Sequence, residues 1–494
     1  MGPIPFWTIN RRQGAGRRKR HTMKFHTVEK IGGTSMSRFK DVLDNVLVGN
    51  RKESELYQRI IVVSAYAGLT DLLLEHKKTR EPGVYGLFVD DNASSWAWGD
   101  AISKVGEKML SINAELEPLG LDLDQADLFV KERIEGVRSC LLDLHRLCSY
   151  GHFQLSEHLL TIRELLSAIG EAHSAYNTTM ILQDKGVNAR FVDLTGWREE
   201  ENWGFTEKVK KFFDGTNYDE ELPIVTGYTQ CKEGLMHTYD RGYSEITFSK
   251  VAVVTQAREA IIHKEFHLSS ADPKMVGAEK VQTIGRTNYD VADQLADLGM
   301  EAIHPGAAKG LRNSGIDLRI KNTFEPDHPG TLITNDYVSE SPCVEIIAGR
   351  TGLTEVRFMD QDMVGLTGYD QKLCKDLDDR DLRYVAKTTS ANTIVHYFPV
   401  SMKRAGDLVR SWKKKYPEAD IDMGPVAMVS PIGSNMAAPG LMARATTALD
   451  EAGVYVIAMQ KDRRNVEAKF IVPESDLQQT VKVLHRVLVE ECAL

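Results

Sequence analysis

The stretch that most limits what this chain can become is Val28-Glu29-Lys30-Ile31-Gly32-Gly33-Thr34-Ser35. Phe25 and Val28 belong to a short strand that ends at Lys30. The two glycines after it lack a Cβ, so the backbone can turn tightly and approach a ligand. Beyond Thr34 and Ser35, Phe39, Val42, Leu43, Val46 and Leu47 recur at helical spacing. Strand, glycine turn and helix start set amide N–H groups opposite one lysine, a setting that suits a phosphate. A Walker A loop places its lysine after the glycines, beside Ser or Thr. Here the lysine comes first, so this is not a Walker A loop. Taken alone, Gly-Gly after a strand also describes an ordinary turn.

The spacing Lys30-x-Gly32-Gly33-Thr34-Ser35 resembles the Lys-Phe-Gly-Gly-Thr-Ser signature of aspartate kinases, in the amino-acid-kinase superfamily, with Ile31 in place of Phe. The resemblance implies an α/β fold: an amino-acid-kinase-like three-layer sandwich with a helical segment. It also implies ATP at Lys30, Gly32, Gly33, Thr34 and Ser35.

Residues 60–64 are a β-branched apolar run, and Ser64-Ala65-Tyr66-Ala67-Gly68-Leu69-Thr70-Asp71 turns from it into a helix. That turn falls at the C-terminal edge of a sheet, where open α/β folds bind ligands. Ser64 and Thr70 read as capping residues; the segment also resembles Val-Ser-Ala-x-x-Gly-x-Thr of aspartate kinases, which implies substrate contact. Residues 97–185 read as helices with apolar stripes. Among them Glu171, beside Gly170, is either a solvated helix residue or, as the resemblance implies, the carboxylate that meets the aspartate amino group. His173 reads as structural. Strands are expected over 188–193 and 222–228, and Tyr228 resembles the aromatic that lines the family's substrate pocket.

His237-Thr238-Tyr239-Asp240-Arg241-Gly242-Tyr243-Ser244-Glu245 leads into another helix, with Ser244 expected as its N-cap. A cation at such a helix start suits a carboxylate held in two places, and a surface ion pair is the alternative for Arg241. The segment resembles the family's Gly-Arg-Gly-Gly-Ser-Asp-Tyr-Ser/Thr, which implies that Arg241 and Glu245 serve the substrate. Asp240, Tyr243 and Glu245 depart from that pattern, and Tyr243 is expected to be strained if its position requires φ > 0. On the nucleotide side, Asp272-Pro273-Lys274 matches an Asp-Pro-Arg step, while His263-Lys264 stands where the family has Thr-Asp. Gly299-Met300-Glu301-Ala302-Ile303-His304-Pro305 resembles Gly-Ala-Lys-Val-Leu-His-Pro, with Glu301 in place of a lysine. His263, Lys264, Ser269 and Lys274 are the implied ATP residues there, with Lys264 and Lys274 supplying the displaced positive charge.

A Pro-rich stretch at 323–331 marks the end of a catalytic domain taken as 23–335. The rest of the chain carries two β-α-β-β-α patterns, 340–418 and 419–494. They fit two ACT-like α+β modules able to bind an amino-acid effector; a plain oligomerisation domain is the alternative. Ser475 is expected to cap the last helix. Residues 1–22 hold no Asp or Glu and six Arg and Lys residues. They lack the apolar core of a secretory signal and read as a disordered extension ahead of a start at Met23, although their composition also suits a transit peptide.

The 494 residues carry a net charge of −9, which speaks against nucleic-acid binding by bulk electrostatics. No apolar run is long enough to span a bilayer. The six scattered cysteines form no CxxC pair, so reduced thiols in a cytoplasmic protein are expected, with Cys231 a buried structural one. No protein metal site is expected. A carboxylate nucleophile is ionised at neutral pH and needs no general base. The reaction that the resemblance implies is aspartate plus ATP, with Mg²⁺ on the phosphates, giving 4-phosphoaspartate, and a homodimer or larger homo-oligomer is expected. The departures resemble most the branch of aspartate kinases associated with ectoine synthesis. The rivals are a kinase for glutamate or acetylglutamate and a non-catalytic amino-acid sensor.

Overall fold

The computed structural model describes residues 26–49, 51–77, 79–90, 95–239, 242–300 and 302–491. The expectations for residues 1–22, Met23, Phe25, Asp240, Arg241, Glu301 and Cys492 lie outside them.

Short runs of β-branched residues without polar alternation become strands covered on both faces. Those of the first domain are β1 (Thr27–Ile31), β2 (Arg59–Val63), β3 (Ala189–Val192), β4 (Leu222–Thr226), β5 (Glu259–Lys264), β6 (Arg286–Asn288), β7 (Asp317–Asn322) and β8 (Thr331–Thr334). They form one sheet in the order β3-β4-β2-β1-β5-β7-β8-β6, parallel except between β7 and β8. β1 lies inside the sheet between β2 and β5, is buried throughout, and runs one residue beyond Lys30.

The helices are α1 (Ser95–Leu116), α2 (Leu123–Ser149), α3 (Leu159–Asp184), α4 (Phe205–Phe213), α5 (Tyr243–Thr255), α6 (Tyr289–Asp297) and α7 (Pro305–Asn313). α3 packs on β2, β3 and β4 and carries α2 and α1 outside it; α5 packs on β1, β2 and β5 beside α4 and α7. The two helices come from opposite faces. Tyr176 of α3 meets Phe191 of β3 edge-on, and the register row of Phe191 passes through Ile224 and Ile61 to Glu29. Thr255 of α5 bonds His26, which strand alternation puts on the face of Val28 and Lys30. Helices, sheet and helices make the expected three-layer sandwich.

The C-terminal part comprises β9 (Ile346–Met359), α8 (Tyr369–Asp378), β10 (Ala386–Thr389), β11 (Thr393–Phe398), α9 (Met402–Lys415), β12 (Asp420–Ile432), α10 (Leu441–Glu451), β13 (Ala458–Lys461), β14 (Ala468–Pro473) and α11 (Leu477–His485). Its strands form an antiparallel sheet, β10-β11-β9-β12-β14-β13. β9 and β12 are long and pair along their length. The end of β9 and the start of β12 share a core with α8 and α9 around Phe358, Leu373, Phe398, Trp412 and Ile421. The start of β9 and the end of β12 share another with α10 and α11 around Ile347, Val429, Leu441, Phe470 and Val481. The first α+β module is thus inserted in the second, and a cut between 418 and 419 leaves the start of β9 with the wrong core. Reading along the chain, a strand is assigned to the helix that follows it, and a strand long enough to serve two cores hides that sharing. Asp476, rather than Ser475, stands at the N-cap of α11.

The segment after β5 joins the two parts. Ala271 and Val276 pack into the second module's core. The Ser270 carbonyl accepts from the Ile347 amide at 2.8 Å, and its hydroxyl bonds His485 Nε2 at 2.9 Å. No described helix is long and apolar enough to cross a membrane.

Candidate active site

β1 carries adjacent buried charges, Glu29 and Lys30, and an unpaired buried charge is costly. Alternation sends them to opposite faces. Glu29 accepts from Arg59 at 2.7 and 2.9 Å and bonds His263 Nε2 at 2.8 Å. Arg59 also donates to the carbonyls of Val46 and Leu47. Burial alone would raise the Glu29 pKa, but Arg59 and His263 hold it well below the usual range. This group ties β1 to β2 and β5. His263, expected among the ATP residues, has its ring in this group. Residue 263 shares the row of Ile31, not of Lys30, so its imidazole lies on the Glu29 face while its carbonyl accepts from the Gly32 amide.

On the other face, Lys30 Nζ stands 3.6 Å from Glu245 Oε1 and 3.9 Å from where a Cβ on Gly32 would be. Gly33–Met36 is a single helical turn, whose first amides have no preceding carbonyl to bond. A Cβ on Gly33 would sit 2.7 Å from the Ala65 carbonyl and beside Ser64, so glycine is what lets the turn after β1 approach the turn after β2. Ser35 is buried and its hydroxyl bonds Glu265 Oε1 and Thr323 Oγ1, each at 3.1 Å. Thr34 is exposed beside it. The Ser64 amide donates to the Ile31 carbonyl. Thr70 sits in the short helix Leu69–Leu73 after Gly68, which has φ 85°.

Glu171 lies inside α3, 2 % exposed, at the edge where α3 and α5 meet over the strand ends. Its Oε1 accepts from Ser244 Oγ at 2.8 Å, and its Oε2 is buried without a hydrogen-bond partner. A Cβ on Gly227 would fall 2.1 Å from that Oε2 and 2.7 Å from the Val63 carbonyl. Burial pushes the Glu171 carboxyl up to about 8, against the opposing pull of Ser244, Lys30 and the Ala65 amide. Tyr228, after β4, is buried edge-on to Tyr243 with ring centroids 5.5 Å apart.

α5 begins differently from expectation. Gly242, with φ 80°, is its N-cap, and Ser244 lies inside the first turn with its hydroxyl on Glu171. Gly242 takes the left-handed conformation, so Tyr243 is not strained. A Cβ on Gly242 would meet the His304 ring at 2.6 Å. Glu245 Oε2 accepts from the His304 amide at 2.5 Å. Burial would raise Glu245, yet Lys30, Lys264 and His304 together hold it below the usual range. Arg241, the expected carboxylate ligand, lies outside the described residues.

Lys264, two residues past Ile262 in the Lys30 row, shares the Lys30 face. Lys30, Gly32, Gly33, Ser35, Ser64, Glu171, Glu245 and Lys264 thus gather at the C-terminal ends of the central strands. Ser269 and Lys274 lie in the segment docked on the second module: Ser269 Oγ donates to the Ala271 carbonyl, and the Lys274 amide to Asp272. Three contributors were not assigned from sequence: the Ser244 hydroxyl, Glu265 and His304. A usable signal existed for Glu29 and Arg59, since a buried strand with two adjacent charges requires a partner for each. Cys231 is buried and its thiol is pushed up to about 11 by burial, as a structural cysteine should be. The buried His173 is held down to about 3 by burial, hence neutral, and bonds Asn113.

Lysines, carboxylates and a glycine turn meet at the strand ends of an α/β sheet, a setting that suits phosphoryl transfer. Residues 26–322 match the amino acid kinase family. The aspartate kinase Ask_Ect of Stutzerimonas stutzeri (strain A1501) is 54% identical over 94% of this chain and 98% of its own. The chain therefore belongs to the amino acid kinase family and, within it, to the aspartate kinases. The aspartate kinase of Clostridium acetobutylicum has the same fold, with a TM-score of 0.70 at 19% identity over 94% of this chain and all 100% of its own. So does aspartokinase III of E. coli in complex with aspartate and ADP, with a TM-score of 0.63 at 18% identity over 94% and 99%. The likeness extends through the antiparallel ACT-like region.

Proposed function

We propose that this aspartate kinase binds its amino acid between Glu171 and Arg241 and delivers the side-chain carboxylate to a triphosphate held at Lys30. The reading rests on one observation above others: a buried carboxylate oxygen of Glu171 without a partner, beside Gly227 and within the field of Lys30. An ammonium group supplies the missing donor. Arg241 grips the α-carboxylate, and Ser64, Thr70 and Tyr228 line the side-chain end. A β-carboxylate oxygen then attacks the γ-phosphorus of ATP, the bond to the β,γ-bridging oxygen breaks, and 4-phospho-L-aspartate and ADP leave. Positioning and charge neutralisation carry most of such a transfer. Lys30 and the amides of Gly33, Thr34 and Ser35 take the charge that gathers on the transferred group.

Glu245 and His304 hold Lys30 in place, and Lys264 adds positive charge on the nucleotide side. Ser269 and Lys274 extend that side from the docked segment; His263 acts only through its carbonyl and through Glu29. The carboxylates of Glu245 and Glu265 are already bonded to His304 and Ser35, so Mg²⁺ arrives on the triphosphate rather than in a protein cage. The likeness to Ask_Ect supports a place in ectoine synthesis, and the free described thiols support a cytoplasmic enzyme. Exposed Tyr455, Ile457 and Met459 along the β13 edge support pairing of two copies through the C-terminal sheet, and the ACT-like cores support an amino-acid effector there.

The test is acyl phosphate formation trapped as hydroxamate. Aspartate-dependent product in the wild type, lost in both Lys30→Met and Glu171→Gln, supports the assignment. Product with glutamate or N-acetylglutamate in place of aspartate, or full activity in Glu171→Gln, refutes it.

A further inference from the structure

Away from the kinase centre, in the inserted module, α8 lies over β11. Asp370 and Cys374 are four residues apart on α8 and so share a face. That face meets His396 of β11, and one ligand atom from each of the three residues lies within 4.8 Å of the others. His396 is fully buried, yet neither Nδ1 nor Nε2 has a hydrogen-bond partner. Its ring meets Tyr384 edge-on at 5.1 Å and lies near Phe398 and Trp412. Aromatic packing explains a ring at this place. It does not explain a ring with two polar atoms left unsatisfied, since phenylalanine would fill the same volume without that cost. Lys387 pairs directly with His396 across the β10–β11 ladder, and its ammonium lies 2.8 and 2.9 Å from the two Asp370 oxygens. A cation is therefore already held at the mouth of the cluster.

We propose that Asp370, Cys374 and His396 form a site for a divalent ion of the zinc class, with the ion displacing the Lys387 ammonium from Asp370. Thiolate, imidazole and carboxylate together select a borderline ion rather than Mg²⁺. Bond lengths of about 2.0–2.3 Å would draw the three ligand atoms to roughly 3.3–3.8 Å from one another. Asp370 is exposed and Cys374 partly so, which gives both side chains room to swing inward. Neutral imidazole is the form that ligates. Binding releases the Cys374 thiol proton to solvent and leaves the fourth tetrahedral position to water. The site belongs to a core separate from that of the kinase residues, so an ion there acts from outside the reaction.

Cobalt(II) is the probe, titrated into the full-length enzyme and followed by its absorption spectrum. The expected result is one equivalent per chain with a thiolate-to-cobalt charge-transfer band that Zn²⁺ bleaches and excess Mg²⁺ does not. Cys374→Ser removes the band. His396→Phe keeps the ring volume and weakens binding by more than the roughly tenfold to hundredfold expected of an outer-shell change. Lys387→Met tightens binding about tenfold or more, because it removes the competing ammonium. No thiolate band in the wild type, or a band that survives Cys374→Ser, overturns the proposal. Unchanged affinity in Lys387→Met refutes the displacement step.

Discussion

Aspartate binding should depend on pH through Glu171. With its carboxyl pushed up to about 8, about one free enzyme molecule in ten carries the charged form at pH 7, and about one in a hundred at pH 6. An ammonium ligand needs the charged form, and the ligand's own amino group stays protonated over this range. The apparent Kd for aspartate should therefore fall about tenfold between pH 6 and 7 and level off above pH 8. At pH 7 nearly one proton should leave for each aspartate bound. Calorimetry in two buffers of different ionisation enthalpy reads that proton directly. Glu171→Gln should remove both the slope and the proton release. At pH 8, where the wild-type charge is available, it should weaken binding by about 1.5–3 kcal/mol, the value of a charged hydrogen bond. Affinity independent of pH in the wild type, or proton uptake instead of release, would refute the argument.

The same carboxyl predicts a stability trade. Its folded-state pKa is raised, so its contribution is complete below the unfolded value and is lost as pH climbs toward 8; in urea unfolding Glu171→Gln should be close to the wild type in stability at pH 5 and exceed it at pH 8 by about 3–4 kcal/mol. Lys30→Met should lower kcat about a hundredfold to a thousandfold with the far-UV CD spectrum unchanged, because the lost cation is the one that meets developing charge. Glu29→Ala, one residue away on the other face, should instead cost about 3–5 kcal/mol in urea unfolding, since it leaves Arg59 buried without its carboxylate. Gly227→Ala should abolish measurable aspartate binding and destabilise by about 1–3 kcal/mol, because its Cβ would meet Glu171 and the Val63 carbonyl; wild-type affinity in that variant would count against Glu171 as the ammonium ligand.

Much of this was legible along the chain. Continuous apolar runs gave the central strands, the helical stripes gave α1 to α3, and Lys-x-Gly-Gly-Thr-Ser named the family. What stayed hidden was set by register and by side-chain direction. His263 looked available for nucleotide until alternation placed it in the Ile31 row. Ser244 looked like a cap because Ser before a helix usually is one; Gly242 took the cap and freed the hydroxyl for Glu171. The interleaved modules were hidden because the two halves of β9 belong to different cores. The four-residue spacing of Asp370 and Cys374 is legible along the chain, but only the packing of α8 on β11 brings His396 to them.

The charge arrangement explains why a buried half-satisfied carboxylate can persist beside a lysine. Lys30 is already shared with Glu245, so a second full negative charge at Glu171 would leave the empty centre short of positive charge to face a triphosphate. Held as the acid, Glu171 costs the centre nothing in net charge. When aspartate binds, the arriving ammonium replaces the departing proton, one positive charge for another. The exchange at Glu171 therefore leaves the field at the phosphates unchanged, the α-carboxylate is met by Arg241, and the β-carboxylate is the one uncompensated charge that Lys30 and Lys264 must share with the phosphates. On this account, ADP should bind more weakly when aspartate is added at pH 7, whereas with a Glu171 already ionised in the free enzyme the ammonium would offset the β-carboxylate and leave ADP affinity unchanged.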